Sequence, residues 1–140
     1  MNRGATFPEL LLVLLLMGMA TPVVLTQTRA QMDALAVRAA REAVVGIFHR
    51  ARTEARVSGD ARVLVLEGEG VYLRNAEGET MDQVVPGRLG VELRIRGERS
   101  EAEIRFRSLG LAAFASATLE FERGRRSAEL TVSGYGRIRR

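Results

Sequence analysis

Few residues of this chain could carry out catalysis or hold a metal ion. There is no cysteine, and His49, the only histidine, lies on the charged side of a predicted helix, where a solvated side chain is expected. A cysteine–histidine metal site is therefore excluded, and no histidine follows Val57 to activate a nucleophile. Four glutamates near two predicted turns are interpreted as solvated turn residues rather than as a carboxylate pair or a calcium site: Glu67, Glu69, Glu77 and Glu79. The sequence predicts a protein that is not an enzyme and that uses no metal or cofactor.

The basic residues are all arginines, and one dense group of them lies at the C-terminal end. The chain has 21 arginines and 17 acidic residues, a net charge of +4 and an isoelectric point near 10.8. Arginine suits the recognition of phosphate and carboxylate groups, although a biased base composition of the genome would also produce a lysine-free chain. Arg137, Arg139 and Arg140 are three of the last four residues. On a flexible tail they would contact phosphates without reading sequence, and such binding depends strongly on salt.

A single carboxylate stands at the start of the longest apolar segment. Leu10–Leu25 has no charged residue, and together with Ala5–Phe7 the largely apolar stretch reaches about twenty residues, the length needed to cross a bilayer. The segment could be a signal peptide with Gly18-Met19-Ala20 as its cleavage site, or a plain uncleaved anchor. Neither interpretation accounts for Glu9, since a charge in the bilayer costs on the order of 2.5–3.5 kcal/mol unless it is paired or reaches the interface.

A third interpretation accounts for the carboxylate. Arg3-Gly4-Ala5-Thr6-Phe7-Pro8-Glu9 resembles the prepilin processing motif, although Ala5 stands where that family usually has phenylalanine. The resemblance implies that prepilin peptidase cuts between Gly4 and Ala5, that residues 1–4 are a leader, and that the Ala5 amine is methylated. It also implies that Glu9 pairs with the N-terminal amine of a neighbouring subunit during filament assembly. A buried charge is tolerable when it is paired in this way.

The elements that position these residues are a long helix and a set of strands. Residues 5–25 are predicted to be a transmembrane helical anchor, and residues 26–57 an amphipathic continuation that ends at Ser58-Gly59-Asp60. Its apolar positions predict a single core-facing stripe: Met32, Leu35, Ala36, Ala39, Ala43, Ile47 and Ala51.

Residues 61–140 are predicted to form an antiparallel β domain, because turn residues recur every eight to twelve positions. Two hairpins are predicted, one joining Ala61–Glu67 to Val71–Arg74 and one joining Thr118–Glu122 to Ser127–Ser133. Alternation of apolar and charged residues predicts two further strands, Leu89–Arg96 and Ala102–Arg107. Gly110–Ser116 receives no assignment.

Ile104–Arg140, with its phenylalanine strand, glycine-marked loop, hairpin and closing Ser-x-x-Gly-Arg, resembles the C-terminal half of the GspH/FimT type of minor pseudopilin. The resemblance implies a pilin-like α+β fold, a long helix packed on a small antiparallel sheet or sandwich. It implies a minor pseudopilin of a type II secretion system, held in the bacterial inner membrane by a single pass, with a periplasmic domain that binds other pilin or pseudopilin subunits. The alternative that it implies is a minor type IV pilin that binds DNA through Arg137, Arg139 and Arg140 during DNA uptake.

Overall fold

The computed structural model describes residues 6–68, 70–97, 101–113 and 116–139, without the side chains of residues 19–26 and 113. The chain divides into two compact units, Met1–Met32 and Asp33–Arg140. One helix, α1, spans Phe7–Ser58, and a short 3-10 helix spans Pro86–Leu89. The strands are β1 Arg62–Glu67, β2 Gly70–Arg74, β3 Thr80–Val84, β4 Glu92–Ile95, β5 Glu101–Phe106, β6 Ala112–Ala113, β7 Ala117–Arg123, β8 Arg126–Val132 and β9 Ile138–Arg139.

The described part of the first unit is helical from Phe7 onward. The N–H groups of Glu9 and Leu10 donate to the carbonyl of Thr6, at 3.0 and 3.2 Å, and start the helix. Within the described residues no helix has a stretch that is both long enough and apolar enough to cross a membrane. The span predicted over residues 5–25 includes Ala5 and the side chains of residues 19–25, which lie outside the described residues.

In the second unit the strands form two antiparallel sheets. The first sheet has the order β3-β2-β1-β5-β6, and the second has the order β4-β7-β8-β9. Side chains of both sheets and of the C-terminal half of α1 share one core, whose largest fully buried members include Phe106, Phe121, Leu64 and Val44. The helix ends as predicted: Ser58 is its last residue, and Gly59 follows with a left-handed φ of 75°, which glycine adopts readily.

The structure confirms both predicted hairpins. β1 pairs with β2 across Gly68–Gly70, and β7 pairs with β8 with Arg123 opposite Arg126, so that Gly124 and Arg125 form a two-residue turn. The strand predicted over Leu89–Arg96 is shorter, because Pro86 starts a 3-10 turn that includes Leu89. The unassigned Gly110–Ser116 contains β6, a two-residue strand paired with β5.

The predicted core-facing stripe of α1 is wrong in phase over most of its length. Ile47 and Ala51 are buried as predicted, but Leu35 is 63% exposed, and Ala39 and Ala43 are also exposed. The buried stripe passes instead through Val37, Ala40, Val44, Ile47, Phe48, Ala51 and Ala55. It is displaced by about one residue, or about 100° around the helix axis.

Candidate functional surfaces

The carboxylate of Glu9 caps the start of α1. Its Oε2 accepts the backbone N–H of Thr6, 3.4 Å away, and Glu9 is the third residue of the helix. A glutamate at this position that reaches back to the N–H before the helix is one half of a capping box, and its charge also opposes the positive end of the helix dipole. Glu9 is exposed and the hydrogen bond is long, so the carboxylate keeps capacity for a further partner. Gly4 and Ala5, the predicted processing site, lie outside the described residues.

An apolar helical surface follows directly after Glu9. The side chains from Leu10 to Leu16 are between 43% and 65% exposed. These seven residues are leucine or valine throughout and therefore place apolar groups on every side of the helix. Exposed apolar surface of this extent is typical of surfaces that contact another protein or a membrane.

Two of the C-terminal arginines have a defined backbone, Arg139 in a strand and Arg137 in the turn before it. β9 pairs with β8, with Ile138 opposite Val132 and Arg139 opposite Thr131. The turn before β9 is closed by the Ser133 N–H, which donates to the Arg137 carbonyl at 2.8 Å. Arg140 lies outside the described residues. Residues 137–139 are therefore not a flexible tail, because the turn and the strand bonds hold their backbone.

A cleft of about 580 Å³ lies between α1 and the β9 segment. Its basic lining residues are Arg137 and Arg139, together with His49 and Arg52 of the helix, and its apolar lining includes Phe106. None of its described lining residues is acidic. No sequence pattern predicts that His49 and Arg52 lie near the C-terminal arginines, because this proximity depends on how α1 packs beside β9.

The other arginine cluster, at the turn between β7 and β8, is separate from the C-terminal one. The turn residues lie at the start of β8, whereas β9 pairs with its end, five to six residues away. That separation corresponds to roughly 17–20 Å along an extended strand. Arg123 in this turn is engaged within the fold: its Nε contacts Asp33 Oδ1 at 2.8 Å, and its Nη1 donates to the Leu89 carbonyl.

Arg96, directly after β4, forms ion pairs with glutamates of both β7 and β8. Arg96 Nε contacts Glu120 Oε1 at 2.5 Å, and its Nη2 contacts Glu129 Oε1 at 2.6 Å. The hydrogen bonds that Arg96 donates to these two glutamates, Glu120 first, raise the pKa of its guanidinium above its ordinary value. Among the residues that the structure describes, no cluster of three or more potential ligands could hold a metal ion.

The fold is similar to that of a solved minor pilin. Two crystal structures of the type IV minor pilin FimU from Pseudomonas aeruginosa match this chain. One has a TM-score of 0.56 at 17% identity, covering 74% of this chain and 86% of that chain. The other has a TM-score of 0.54 at 16% identity, covering 73% and 90%. No protein-family model matches the sequence, and the curated proteins give no significant match. The likeness confirms the predicted pilin-like α+β fold, a long helix packed on antiparallel sheets.

Proposed function

We propose that this protein is a non-enzymatic minor subunit of a pilus-like filament, most specifically a pseudopilin of a type II secretion system. The observation that carries the proposal is the apolar surface of Leu10–Leu16 directly after the exposed carboxylate of Glu9. A single chain leaves these side chains exposed, whereas a bilayer and then a bundle of neighbouring helices would cover them. The pilin-like fold supports the same role.

In this proposal the N-terminal residues act in sequence. Prepilin peptidase removes the leader by cutting between Gly4 and Ala5, and the new amine at Ala5 is methylated. The subunit waits in the inner membrane with its β domain in the periplasm. On assembly, the Glu9 carboxylate forms an ion pair with the protonated N-terminal amine of a neighbouring subunit. Each charge then compensates the other in an apolar environment. The long hydrogen bond that Glu9 makes to Thr6 leaves one carboxylate oxygen for that partner.

Two substitutions at Glu9 test this role in the native host. Glu9→Gln keeps an oxygen that can cap the helix, and Glu9→Ala removes both the cap and the charge. Both variants should reach the membrane in normal amounts and fail to enter filaments, with loss of secretion. Glu77→Ala, in an exposed turn, is the matched control and should assemble normally. Filaments formed normally by Glu9→Gln would show that capping alone matters and would overturn the pairing role.

The processing step has its own measurement. Intact-mass analysis of the protein purified from its host should give a chain that begins at a methylated Ala5. A chain that begins at Met1 or at Thr21 would contradict the prepilin interpretation, and the signal-peptide or plain-anchor interpretation would take its place.

A minor pilin that binds DNA is the second candidate function. It is favoured by the cleft that Arg137 and Arg139 line together with Arg52, where no described lining residue is acidic. Duplex DNA can be titrated against the full chain in detergent at low and high salt. If this function is correct, binding is strong at low salt and is lost in a triple glutamine variant of Arg137, Arg139 and Arg140. A charge-matched triple variant of Arg88, Arg107 and Arg125 should bind normally. Equal loss in both variants, or no binding at low salt, would contradict it.

A further inference from the structure

A second basic cleft lies beside the N-terminal half of β8, at the opposite end of the strand from β9. Its volume is about 240 Å³. Its charged lining residues are all arginines, Arg38 and Arg41 from α1 and Arg126 from β8. The other lining residues are small or apolar: Ala34, Val37, Ser127 and Ala128. This site, called the β8 cleft below, has no part in the roles proposed above.

The described residues compensate the charges of the β8 cleft poorly. Arg41 Nη2 contacts Glu42 Oε1 at 3.2 Å, but its Nε is buried and has no hydrogen-bond partner. Arg38 and Arg126 make no ion pair with any residue that the structure describes. Residues three apart on a helix are neighbours, so Arg38 and Arg41 hold two like charges close together. An anion bound between them would relieve this repulsion and supply the missing acceptor.

The edge of β8 beside this cleft is open. In a hairpin with a two-residue turn, the residues flanking the turn bond to each other, and the outward groups then alternate along each strand. The N–H and C=O groups of Ser127 and Glu129 therefore point away from β7. In the described part of the chain, β9 covers only Thr131 and Val132. Arg126 shares its side of the sheet with Ala128 and Leu130, toward the core and α1.

We propose that the β8 cleft binds an extended acidic segment of a neighbouring polypeptide, which adds a strand to the free edge of β8. Alternate side chains of an added strand point to the same side, so its carboxylates contact Arg38, Arg41 and Arg126. The backbone of the segment bonds to Ser127 and Glu129. That the segment belongs to another filament subunit rests on the proposed function, whereas the chemistry of the site does not.

A polypeptide fits this site better than a nucleic acid does. Single-stranded nucleic acids need aromatic side chains on which bases stack, and the described residues lining the β8 cleft include none. The methyl groups of Ala34, Val37 and Ala128 instead suit the aliphatic part of an aspartate or glutamate side chain. Only a polypeptide can also form the ladder of backbone hydrogen bonds that the edge of β8 offers.

The test uses the full chain in detergent and a fluorescent, end-capped peptide of alternating glutamate and threonine. We expect saturable binding that weakens about tenfold in the double variant Arg38→Gln/Arg126→Gln, because two carboxylate contacts are lost. The control Arg88→Gln/Arg107→Gln removes the same charge from exposed sites outside the cleft and should change the affinity less than about twofold. Two altered peptides separate the two parts of the site. Glutamine in place of glutamate removes the charges, and methylation of alternate backbone nitrogens removes the strand bonds.

Each altered peptide should bind much more weakly than the parent. If the methylated peptide bound as tightly as the parent peptide, the added strand would be overturned. If the two double variants weakened binding equally, the binding would be due to the overall positive charge and not to the β8 cleft. If a single-stranded oligonucleotide bound the cleft and the acidic peptide did not, the polypeptide ligand would be wrong. None of these outcomes depends on processing at Ala5 or on Glu9, so the proposal and the filament role can fail separately.

Discussion

Two segments of the same helix show opposite uses of apolar side chains. In Leu10–Leu16 every side chain is at least 43% exposed, and the apolar groups surround the helix. In Val37–Ala55 the apolar groups lie mainly along one stripe, and Ala40, Val44 and Phe48 are at most 2% exposed. The second segment is stabilised by contacts within its own chain. The first has the surface of a helix whose contacts come from elsewhere, and its substitutions should therefore affect assembly rather than folding.

The largest expected difference between the two segments is in the free energy of unfolding. Phe48 is 2% exposed and packs edge-to-face on Phe106, with ring centroids 6.5 Å apart. Phe48→Ala should lower the free energy of unfolding by about 3–5 kcal/mol, since it removes a buried ring and leaves a cavity. Urea unfolding of the full chain in detergent, followed by tyrosine fluorescence, measures this, because Tyr72 and Tyr135 both lie in the second unit.

Leu12→Ala is the matched substitution in the first segment. Leu12 is 57% exposed, so the free energy of unfolding should change by less than about 0.5 kcal/mol. The same variant should enter filaments less efficiently, because it removes apolar surface from the proposed contact between helices. A loss of stability as large as that of Phe48→Ala would abolish the distinction between the segments.

An intermediate effect is expected where the turn between β7 and β8 contacts Asp33, the first residue of the second unit. Gly124 has a φ of +59°, and a Cβ at this position would lie 2.7 Å from Oδ2 of Asp33, whose Oδ1 pairs with Arg123 Nε. Gly124→Ala should therefore lower the free energy of unfolding by about 1–3 kcal/mol. Gly46→Ala, on the exposed side of the helix with nothing within 4 Å, should instead raise it by up to about 1 kcal/mol. Thermal unfolding of the two variants should shift in opposite directions, and equal shifts would contradict the strain at Gly124.

The smallest effect concerns the phase of the buried stripe. Leu35→Ala should change the free energy of unfolding by less than about 0.5 kcal/mol, because Leu35 is 63% exposed. Val44→Ala should lower it by about 1.6 kcal/mol, the value for two buried carbon groups. Urea midpoints of the two variants measured side by side decide between the observed stripe and the stripe that the sequence predicted. If Leu35→Ala lowered the free energy of unfolding more than Val44→Ala did, the buried stripe predicted from the sequence would be the correct one.

The hairpins could be predicted because the turn residues and the alternation of the flanking strands indicate the same structure. Alternation on both sides of Gly124 defines the inward faces of β7 and β8, and a glycine with φ of +59° suits the turn between them. The helix could be predicted to exist and to end at Ser58, but its phase could not. Alanines occur on several of its faces, so the apolar pattern does not distinguish Ala39, which is exposed, from Ala40, which is buried.

The candidate functional surfaces were predictable only where one short segment contains them. Glu9 and the apolar run after it lie in one stretch of sequence, and so do Arg137 and Arg139. The β8 cleft joins Arg38 and Arg126, which are 88 residues apart in the sequence, and no local pattern connects them. The attachment of residues 138–139 could not be predicted for the same reason, because the bonds that hold β9 come from β8.

The attachment of β9 to β8 has a thermodynamic consequence for Arg137 and Arg139. Fixing the backbone of one residue costs about 1–2 kcal/mol of conformational entropy. For these residues that cost is incurred during folding, through the hydrogen bonds of the strand and its turn. A ligand that contacts their guanidinium groups therefore has only side-chain freedom left to restrict, because the backbone positions of the two arginines are set before it binds.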